Sequence, residues 1–556
     1  MAKQAVADPG SAERLTAAHL PEEGEGTAPV PWQLTSAWEA KDGSDTIPEL
    51  FNMAEYLVDR HVAAGRGGQA AIHYQGGVLT YADLLERVNR TANVLSRCGL
   101  EMEDRCLLIL PDSPRFIATF LGAMKLGAVP VPVNTLASTQ ELLYYFNDSR
   151  ADVAVVSPEI WPRLEPIVSE LRHVRRFLMA GQQVASGCGS LDRLTAEAST
   201  VCNAAPVSRD DASFWLYTSG TTGRPKGVIH LHHDMLHCVG PYGREVLRAS
   251  PDDVFFSASK LSFSYGLVNS LYLPLLNGAR VLLNPDKPTP ATVFGLIERH
   301  RPSVFFAVPT TYATLLADDG AHDLSSLRLC VSAGEPLPET LYERWRSRYG
   351  MEILDGVGSS EFGYIYISSR PGQVKPGSCG TLIPPHRARV LGEDGQPVPA
   401  GRVGELYVSS DSVAAGYWNK HDQTMRTFAG SWLRTRDLFM VDEDGYFFYQ
   451  GRADDAIKVS GLYVAAAEVE GALLTHGAVA ECAVVGAPDA DGLLKPKAFV
   501  VLRVGEAGCP ALTAKLQAHV KDRLAHYKCP RWVEFVPELP KTATGKVQRH
   551  RLRNGA

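Results

Sequence analysis

Short runs of apolar residues alternate with stretches of helical spacing along most of the chain. Residues 106–110 form a continuous apolar run, which is typical of a strand buried on both faces of a sheet. Residues 114–126 follow with helical spacing, and Gly127 can adopt the left-handed conformation that ends a helix. Because residues 128–133 then predict a second strand, these segments together predict a β-α-β unit.

The same alternation continues into the middle of the chain. Ser138 and Glu141 have the spacing of a capping box, which predicts a helix that begins after Ser138. Further strands are predicted at residues 153–156 and near residues 214–217, 254–258, 281–283, 303–308 and 328–332. Strands that alternate with helices in this way predict an α/β fold with mostly parallel sheets.

Changes in composition along the chain predict its domains. Residues 1–46 have few large apolar side chains, so we expect them to be disordered. We expect a large domain over residues 47–454, in which short strands and glycine-containing turns after about residue 386 predict an antiparallel β subdomain. Residues 455–556 are expected to form a small α+β C-terminal domain that swivels against the large one.

Overall composition argues against several classes of protein. The 556 residues are 45% apolar and 21% charged, as in average globular proteins, and their net charge of −7 leaves no broad basic field for nucleic acid or an anionic membrane. Ten cysteines occur without a C-x-x-C pair, and the sequence has no run of 18 apolar residues and no signal-like stretch. We therefore expect a cytoplasmic monomer or homodimer whose partners are small molecules.

The strongest chemical motif is TSGTTGRPKG at residues 218–227, directly after an apolar strand. Glycines and hydroxyls after a strand form a loop whose backbone N–H groups and side chains can surround phosphate oxygens. The loop differs from a Walker A motif, because Pro225 precedes Lys226 and Gly227 follows it.

With this motif the sequence resembles the adenylate-forming superfamily of acyl- and aryl-CoA ligases, luciferases and peptide-synthetase adenylation domains. The resemblance extends from about residue 50 to residue 553, since the other family motifs follow in order. These are SAGEP at 332–336, DGVGSSE at 355–361, WLRTRD at 432–437, GRADDAIK at 451–458 and PKTATGK at 540–546.

The resemblance implies roles for individual residues. Those implied to bind the nucleotide or CoA are Thr218, Ser219, Gly220, Thr221, Thr222, Gly223, Lys226, Gly334, Glu335, Asp355, Gly356, Ser360, Asp437, Arg452, Gly461 and Lys546. Catalysis is assigned to Thr218, Lys226, Glu361 and Lys546, and Mg²⁺ to Glu361 with Thr221. Asp454 is the implied hinge between the domains, and Gly461 would line the tunnel for the pantetheine arm of CoA.

The implied reaction has two steps. A carboxylate would attack the α-phosphate of ATP and release diphosphate, and the thiol of CoA would then displace AMP from the acyl-adenylate. Negative charge grows on phosphate in the first step, so hydrogen-bond donors and a metal ion are needed there. ATP, Mg²⁺ and CoA are therefore the expected cofactor and co-substrates.

Four stretches resemble the benzoate-CoA ligase branch: residues 110–114, 130–134, 260–266 and 457–464. The aryl pocket of that branch corresponds here to Ser264, Tyr265, Gly358, Gly363, Tyr364 and Ile365. Ser264 and Tyr364 stand where benzoate ligases usually have Ala and His, and Gly363 is expected to open space beside the ring. A benzoate or a hydroxylated, amino-substituted or bicyclic aryl acid is therefore the expected substrate.

The acyl acceptor and the pathway stay open at this stage. The acyl group of the adenylate could be transferred to a carrier protein instead of CoA, and a downstream acyltransferase could use the product. The pathway could be degradative or biosynthetic, for example toward an antibiotic. A binding protein that has lost turnover is disfavoured by the joint presence of the catalytic side chains. His233 and His237 in HLHHDMLH at 230–237 are one helical turn apart, but a helix after the phosphate loop is a better interpretation than a metal site.

The implied role of Lys546 can be tested by separating the two steps. Because its ammonium would stabilise charge only during adenylation, Lys546→Ala should slow that step by roughly 10²–10³-fold. Thioester formation from a pre-made aryl-adenylate and CoA should be nearly unaffected. Equal slowing of both steps, measured by diphosphate exchange and by thioester release, would show that the assignment is wrong.

Overall fold

The computed structural model describes residues 34–35, 47–182, 184–218, 224–453, 457–459, 462–464, 466–489, 493–541 and 547–554. The expected disordered segment therefore lies outside these residues except for Leu34–Thr35, which forms a two-residue strand against Arg387 and Ala388. The expected domain boundary at Asp454 also lies outside them.

The first β-α-β unit belongs to a fully parallel five-stranded sheet. Its strand order is Val129–Pro132, Arg105–Ile109, Val153–Val156, Arg176–Met179 and Cys188–Ser190. The helix Pro114–Lys125 connects the first two strands of the chain in this sheet, as the apolar pattern predicts, and ten of its residues besides Pro114 are buried. The predicted α/β architecture is confirmed here.

A nine-stranded sheet forms the second layer and supports the site. Its order is Thr381–Leu382, Ile365–Ser368, Ile353–Gly358, Leu329–Ala333, Val304–Ala307, Val254–Ser257, Arg280–Leu283, Ala70–Tyr74 and Gly77–Thr80. The central strands are parallel and the edge pairs are antiparallel. The parallel strands are buried on both faces, which explains why their sequences are continuous apolar runs. Fully buried residues of the main core cluster on these strands include Phe255, Val304, Phe306 and Val331.

Antiparallel sheets cover the sides of these two layers. A three-stranded sheet has the order Gly416–Tyr417, Lys226–Leu231 and Ala212–Thr218. A six-stranded sheet contains Leu34–Thr35, Arg387–Leu391, Val403–Ser409, Trp432–Val441, Phe428–Ala429 and Phe447–Arg452. The second sheet is the antiparallel region that glycine-containing turns predict after residue 386.

The C-terminal region is a small α+β unit with its own core. A three-stranded sheet joins Val479–Pro488, Leu494–Leu502 and Trp532–Phe535, and Ile457–Val459 pairs with Leu462–Val464. Apolar residues of these strands form a separate buried cluster with the helices Ala466–Leu474 and Pro510–Lys521. A separate buried cluster is typical of a unit with its own hydrophobic core.

The remaining helices connect the strands or cover the sheets. They are Arg60–Ala63, Tyr81–Arg97, Thr139–Ser149, Trp161–Leu164, Leu191–Glu197, Asp234–Tyr242, Ser264–Leu267, Leu273–Leu276, Pro290–His300, Pro309–Leu316, Glu339–Tyr349, His421–Thr427 and Arg549–Asn554. Shorter turns of π- or 3₁₀-helix occupy Glu55–Asp59, Gly243–Leu247, Val268–Tyr272, Pro158–Ile160, Glu165–Glu170 and His526–Lys528. Among the residues described, no helix has the length and apolarity needed to span a bilayer.

The predicted capping box is present at the helix Thr139–Ser149. The Ser138 side chain accepts from the Glu141 amide, and the Glu141 carboxylate accepts from the Ser138 amide at 2.8 Å. This helix begins as the sequence predicts, and it carries Tyr144 and Asp148 toward the phosphate-loop hairpin.

Candidate active site

The site lies at the carboxyl ends of parallel strands in the nine-stranded sheet, where ligands of open α/β sheets bind. Leu329–Ala333 and Ile353–Gly358 are neighbours there, with Ser332 opposite Asp355. Gly334 and Glu335 follow the first strand, and Thr310 Oγ1 donates to Glu335 Oε2 at 3.1 Å. Residues 359–363, which follow the second strand and are called the signature turn below, include Ser360 and Glu361.

The phosphate-loop hairpin consists of the strands Ala212–Thr218 and Lys226–Leu231, which pair antiparallel. Thr218 lies directly opposite Lys226, so both residues are fixed at the base of the predicted loop. The loop residues Ser219, Gly220, Thr221, Thr222 and Gly223 lie outside the described part of the chain.

The base of this hairpin is anchored from two sides. Tyr144 OH donates to the Pro225 carbonyl at 2.7 Å, and the Trp418 amide donates to the Gly227 carbonyl at 2.8 Å. Asp148 accepts from Tyr217 OH at 2.9 Å. Since Trp418 Nε1 also donates to the Asp148 carbonyl at 2.8 Å, the capped helix and the strand Gly416–Tyr417 hold the hairpin together.

Tyr417 connects the hairpin to the signature turn. Lys226 Nζ lies 4.0 Å from the centre of the Tyr417 ring, and Tyr417 OH donates to Glu361 Oε1 at 2.8 Å. Burial and the neighbouring Glu361 carboxylate raise the pKa of Tyr417, so its hydroxyl stays a donor at neutral pH. The ring thus fixes a phosphate-loop cation and a carboxylate at one place.

Glu361 is chemically suited to Mg²⁺. This ion is commonly bound by one or two carboxylates together with phosphate oxygens of the substrate and water. The described residues contain no cluster of three or more His, Cys, Asp or Glu side chains that could hold a metal by themselves. A single carboxylate that shares Tyr417 with Lys226 therefore fits a metal that arrives with a nucleotide.

Backbone groups of the signature turn are also held by their neighbours. His230 Nε2 lies 2.7 Å from the Ser360 carbonyl, and the Ala414 amide donates to the Glu361 carbonyl at 2.9 Å. Ser264 Oγ donates to the Gly363 carbonyl at 2.9 Å. The turn is therefore tied at three points to the hairpin, to the antiparallel region and to the expected aryl pocket.

Asp355 is a buried carboxyl group below the signature turn. Burial raises the pKa of Asp355 from 3.8 to about 8, against hydrogen bonds from Cys379 and from backbone amides that lower it. Its Oδ1 atom has no hydrogen-bond partner within the described ranges. The Asp355 side chain therefore has unused hydrogen-bonding capacity at this oxygen.

Asp437 and Arg452 lie opposite each other on the strands Trp432–Val441 and Phe447–Arg452. Arg452 Nη1 donates to Asp437 Oδ1 at 2.9 Å. Although burial lowers it, the Asp437 carboxylate raises the pKa of Arg452 overall. Burial, and then the charge of Asp437, raise the pKa of the Tyr366 hydroxyl.

The expected aryl-pocket residues are brought together by the signature turn. Tyr364 stacks on Tyr265 with a ring separation of 6.3 Å, and Gly358 pairs with Ile365. Tyr364 OH donates to Asn269 Oδ1, and Tyr265 OH donates to the Val331 carbonyl at 3.2 Å. The structure thus places all six predicted residues at one end of the sheet, with their hydroxyl hydrogens directed to protein acceptors.

The expectation that Gly363 opens space beside the ring is wrong. Gly363 has φ +93°, and a Cβ added there would lie 2.5 Å from Met235 Cε and 3.2 Å from Cys238 Sγ. The space that a side chain at residue 363 would occupy is therefore taken by side chains of the helix Asp234–Tyr242. Glycine at this position permits close packing of the turn.

Three further predicted residues, Asp454, Gly461 and Lys546, lie outside the described part of the chain. Near the described ends that flank Lys546, Lys541 pairs with Val547 and the Gln548 amide donates to the Pro540 carbonyl at 2.7 Å. His233 and His237 contact each other with a ring separation of 5.6 Å, and His233 Nδ1 lies 2.9 Å from the Arg209 carbonyl.

Sequence reasoning missed Tyr417, His230, Tyr366 and Asn269. Tyr417 and Asn269 are far along the chain from the groups they contact, so no local pattern marks them. His230 offered a weak signal, since it is a polar residue within an apolar strand directly after the phosphate loop.

Residues 59–418 match the family described as AMP-binding enzyme, and residues 468–546 match the AMP-binding enzyme C-terminal domain. The chain is 46% identical to the benzoate–CoA ligase of Thauera aromatica over 91% of this chain and 97% of that protein. It is 42% identical to the 4-hydroxybenzoate–CoA/benzoate–CoA ligase of Rhodopseudomonas palustris over 90% of this chain and 94% of that protein. A solved anthranilate CoA ligase in complex with anthranoyl-AMP has a TM-score of 0.86 at 37% identity, over 92% of this chain and 98% of that chain.

The raised pKa of Asp355 predicts a pH-dependent stability. The folded state holds a proton that the unfolded chain releases near pH 3.8, so this stabilisation is complete below pH 3.8 and is lost as pH rises to about 8. Asp355→Asn should remove this contribution and flatten the fall in unfolding free energy between these two pH values. Denaturant titrations at several pH values in that range measure the unfolding free energy of both proteins. The same dependence of this free energy on pH in wild type and variant would contradict the prediction.

The packing at Gly363 predicts a specific loss of stability on substitution. Gly363→Ala should lower the free energy of unfolding by more than the roughly 1–2 kcal/mol that a left-handed backbone costs an L-residue. Gly395→Ala is the matched control, since Gly395 has φ +73° but has open space where an added Cβ would lie. Equal destabilisation of the two variants would show that contact with Met235 is unimportant.

Proposed function

This chain belongs to the family of AMP-binding enzymes, and we propose that it is an ATP-dependent aryl–CoA ligase that forms its thioester through an aryl-adenylate. Its relatives named above act on benzoate or 4-hydroxybenzoate, and a similar solved structure holds anthranoyl-AMP. A benzoate that is unsubstituted or carries a hydroxyl or amino group is therefore the substrate class that we propose.

The observation that carries the proposal is the contact of Tyr417 with both Lys226 and Glu361. Transfer of a nucleotidyl group develops negative charge on phosphate, and stabilisation of that charge requires donors and cations fixed in advance. The Tyr417 contacts fix a lysine of the phosphate-loop hairpin and a carboxylate suited to Mg²⁺ on one side chain. The adenine would bind near the carboxyl ends of two neighbouring strands, at Gly334, Asp355 and Gly356. The ribose would bind at Asp437 and Arg452.

In the first step a carboxylate oxygen of the aryl acid attacks the α-phosphorus of ATP, and diphosphate leaves. Lys226 and Thr218 at the hairpin base, with the loop between them, bind the phosphate oxygens, and the Ser360 hydroxyl contacts the α-phosphate. Glu361 would hold Mg²⁺, which supplies positive charge to the phosphates when bound. Lys546 would meet the carboxylate and α-phosphate from the small domain.

In the second step the thiol of CoA attacks the carbonyl carbon of the aryl-adenylate. The thioester bond forms, AMP leaves with the electron pair of the C–O bond, and the thiol proton is released. The pantetheine arm would pass Gly461, and a rotation of the small domain about Asp454 would remove Lys546 before this step. Such a change of surroundings between two chemical steps is a recognised role of domain motion.

A panel of aryl acids tests the proposal. Wild-type protein with Mg²⁺, labelled diphosphate and benzoate, 4-hydroxybenzoate or anthranilate should catalyse acid-dependent exchange into ATP. With CoA it should release the aryl-CoA and AMP in equal amounts. Exchange without thioester formation, but with loading of a phosphopantetheinyl carrier protein, would favour transfer to a carrier instead. Absence of exchange with every acid would contradict the proposal.

Tyr364 is expected to set the choice of ring. Tyr364→His should change the ratio of kcat/KM between benzoate and the best substituted acid by about 1–3 kcal/mol, which is the usual range for one contact in a pocket. Tyr364→Phe is the matched control, because it removes only the hydroxyl that donates to Asn269. An unchanged ranking of acids in the His variant would contradict a role of Tyr364 in substrate choice.

A further inference from the structure

A buried histidine behind the signature turn has no role in the chemistry described so far. His230 is fully buried, and both of its ring nitrogens lie within hydrogen-bond distance of an oxygen atom. Nδ1 lies 2.8 Å from Asp234 Oδ2, and Nε2 lies 2.7 Å from the Ser360 carbonyl oxygen. The histidine therefore bridges the start of the helix Asp234–Tyr242 and the signature turn.

The positions of the hydrogens follow from the partners. A carbonyl oxygen only accepts, so Nε2 of His230 must carry a hydrogen and donate it to Ser360. Asp234 Oδ2 already accepts from the Leu231 amide at 3.0 Å, and one proton lies between this oxygen and Nδ1. Asp234 therefore fixes the ring so that its donor points at the turn, as a carboxylate does when it orients a histidine elsewhere.

The ring of His230 is also fixed by packing. It stacks on Phe214 with a centroid separation of 4.9 Å and an angle of 15°. A Cβ added at Gly363 would lie 3.4 Å from His230 Cε1, so the imidazole reaches the far end of the turn as well. A side chain held by stacking and at both nitrogens has little freedom to follow a displaced turn.

Stability alone is a poor explanation for a polar pair at this depth. An apolar side chain of similar size commonly stabilises a buried site as well as or better than an ion pair or polar pair does. His230 lies on the strand Lys226–Leu231, four residues after the phosphate-loop lysine, and its bond ends on the residue before Glu361. The pair therefore connects the two segments that receive the phosphates.

We propose that His230, oriented by Asp234, is a positioning residue that holds the Ser360 carbonyl and thereby aims the Ser360 hydroxyl and the Glu361 carboxylate during adenylation. This inference rests on the proposed function and adds to it a pair of side chains that touch neither substrate nor metal. Loss of the donor lets the turn move, and a displacement of about 1 Å in a positioned group can cost roughly 10²-fold in rate.

Two amide substitutions separate positioning from packing. The amide nitrogen of Gln can occupy the place of Nε2, so His230→Gln keeps a donor to Ser360. The amide of Asn occupies the place of Nδ1, so His230→Asn keeps the contact to Asp234 and loses the donor. We expect kcat of diphosphate exchange to fall by about 10- to 100-fold in the Asn variant and by less than about 3-fold in the Gln variant. KM for ATP and for the acid should change less than kcat.

Asp234→Asn provides a second test with nearly unchanged shape. The Leu231 amide requires an oxygen at the position of Oδ2, so the Asn carbonyl takes that place and accepts from Nδ1 of His230. The ring then presents its unprotonated Nε2 to the Ser360 carbonyl, which repels it; an Asp-to-Asn change beside a catalytic histidine is known to act through the tautomer in this way. Adenylation should slow as much as in His230→Asn.

His322 is the matched control, because it also stacks on a phenylalanine, Phe294, at 3.7 Å and lies 2.9 Å from an aspartate, Asp318, and neither partner belongs to the candidate site. His322→Gln and His322→Asn should leave exchange unchanged. Melting temperatures of all variants report packing separately from rate. Equal rates in the two His230 variants, or a wild-type rate in Asp234→Asn, would overturn the proposal. Inactive wild-type protein in the same assay would instead contradict the proposed function.

Discussion

The ring and hydroxyl of Tyr417 are the contact on which the rest of the site depends. Lys226 Nζ lies over its face and Glu361 accepts from its hydroxyl, so one ring contacts a cation on the strand Lys226–Leu231 and a carboxylate in the signature turn. The contact thus fixes in advance two groups to which the proposed function gives roles at the phosphates.

Rigidity of the surrounding elements makes that contact useful. The phosphate-loop hairpin is tied to the helix Thr139–Ser149 through Tyr144 and Asp148, and its other strand pairs with Gly416–Tyr417. His230, behind the signature turn, has a hydrogen-bond partner at each ring nitrogen, which matters where water cannot replace a lost bond. A turn held in this way loses little conformational entropy when a nucleotide binds.

The expected aryl pocket also directs its polar groups to protein partners. Ser264 and Tyr364 add hydroxyls relative to Ala and His, but each hydrogen is donated to a protein acceptor, Gly363 or Asn269. An added Cβ at Gly363 would lie 2.5 Å from Met235 Cε, so protein already fills the space beside this part of the turn.

The sequence by itself determined the α/β architecture and the nucleotide motifs, because both depend on short patterns: apolar runs, the capping box at Ser138 and the string at residues 218–227. It also established the order of the predicted site residues, but not their contacts. Only the tertiary structure decided that Tyr417 meets Glu361 across 56 residues and that His230 meets Ser360 across 130. The tertiary structure also decided the packing at Gly363. Side chains of the helix Asp234–Tyr242 occupy the space beside this glycine, which is therefore not open for a ligand. The physical reason is that hydrogen bonds and packing between distant segments depend on sheet order and crossing of elements, and these leave no periodic trace in either segment.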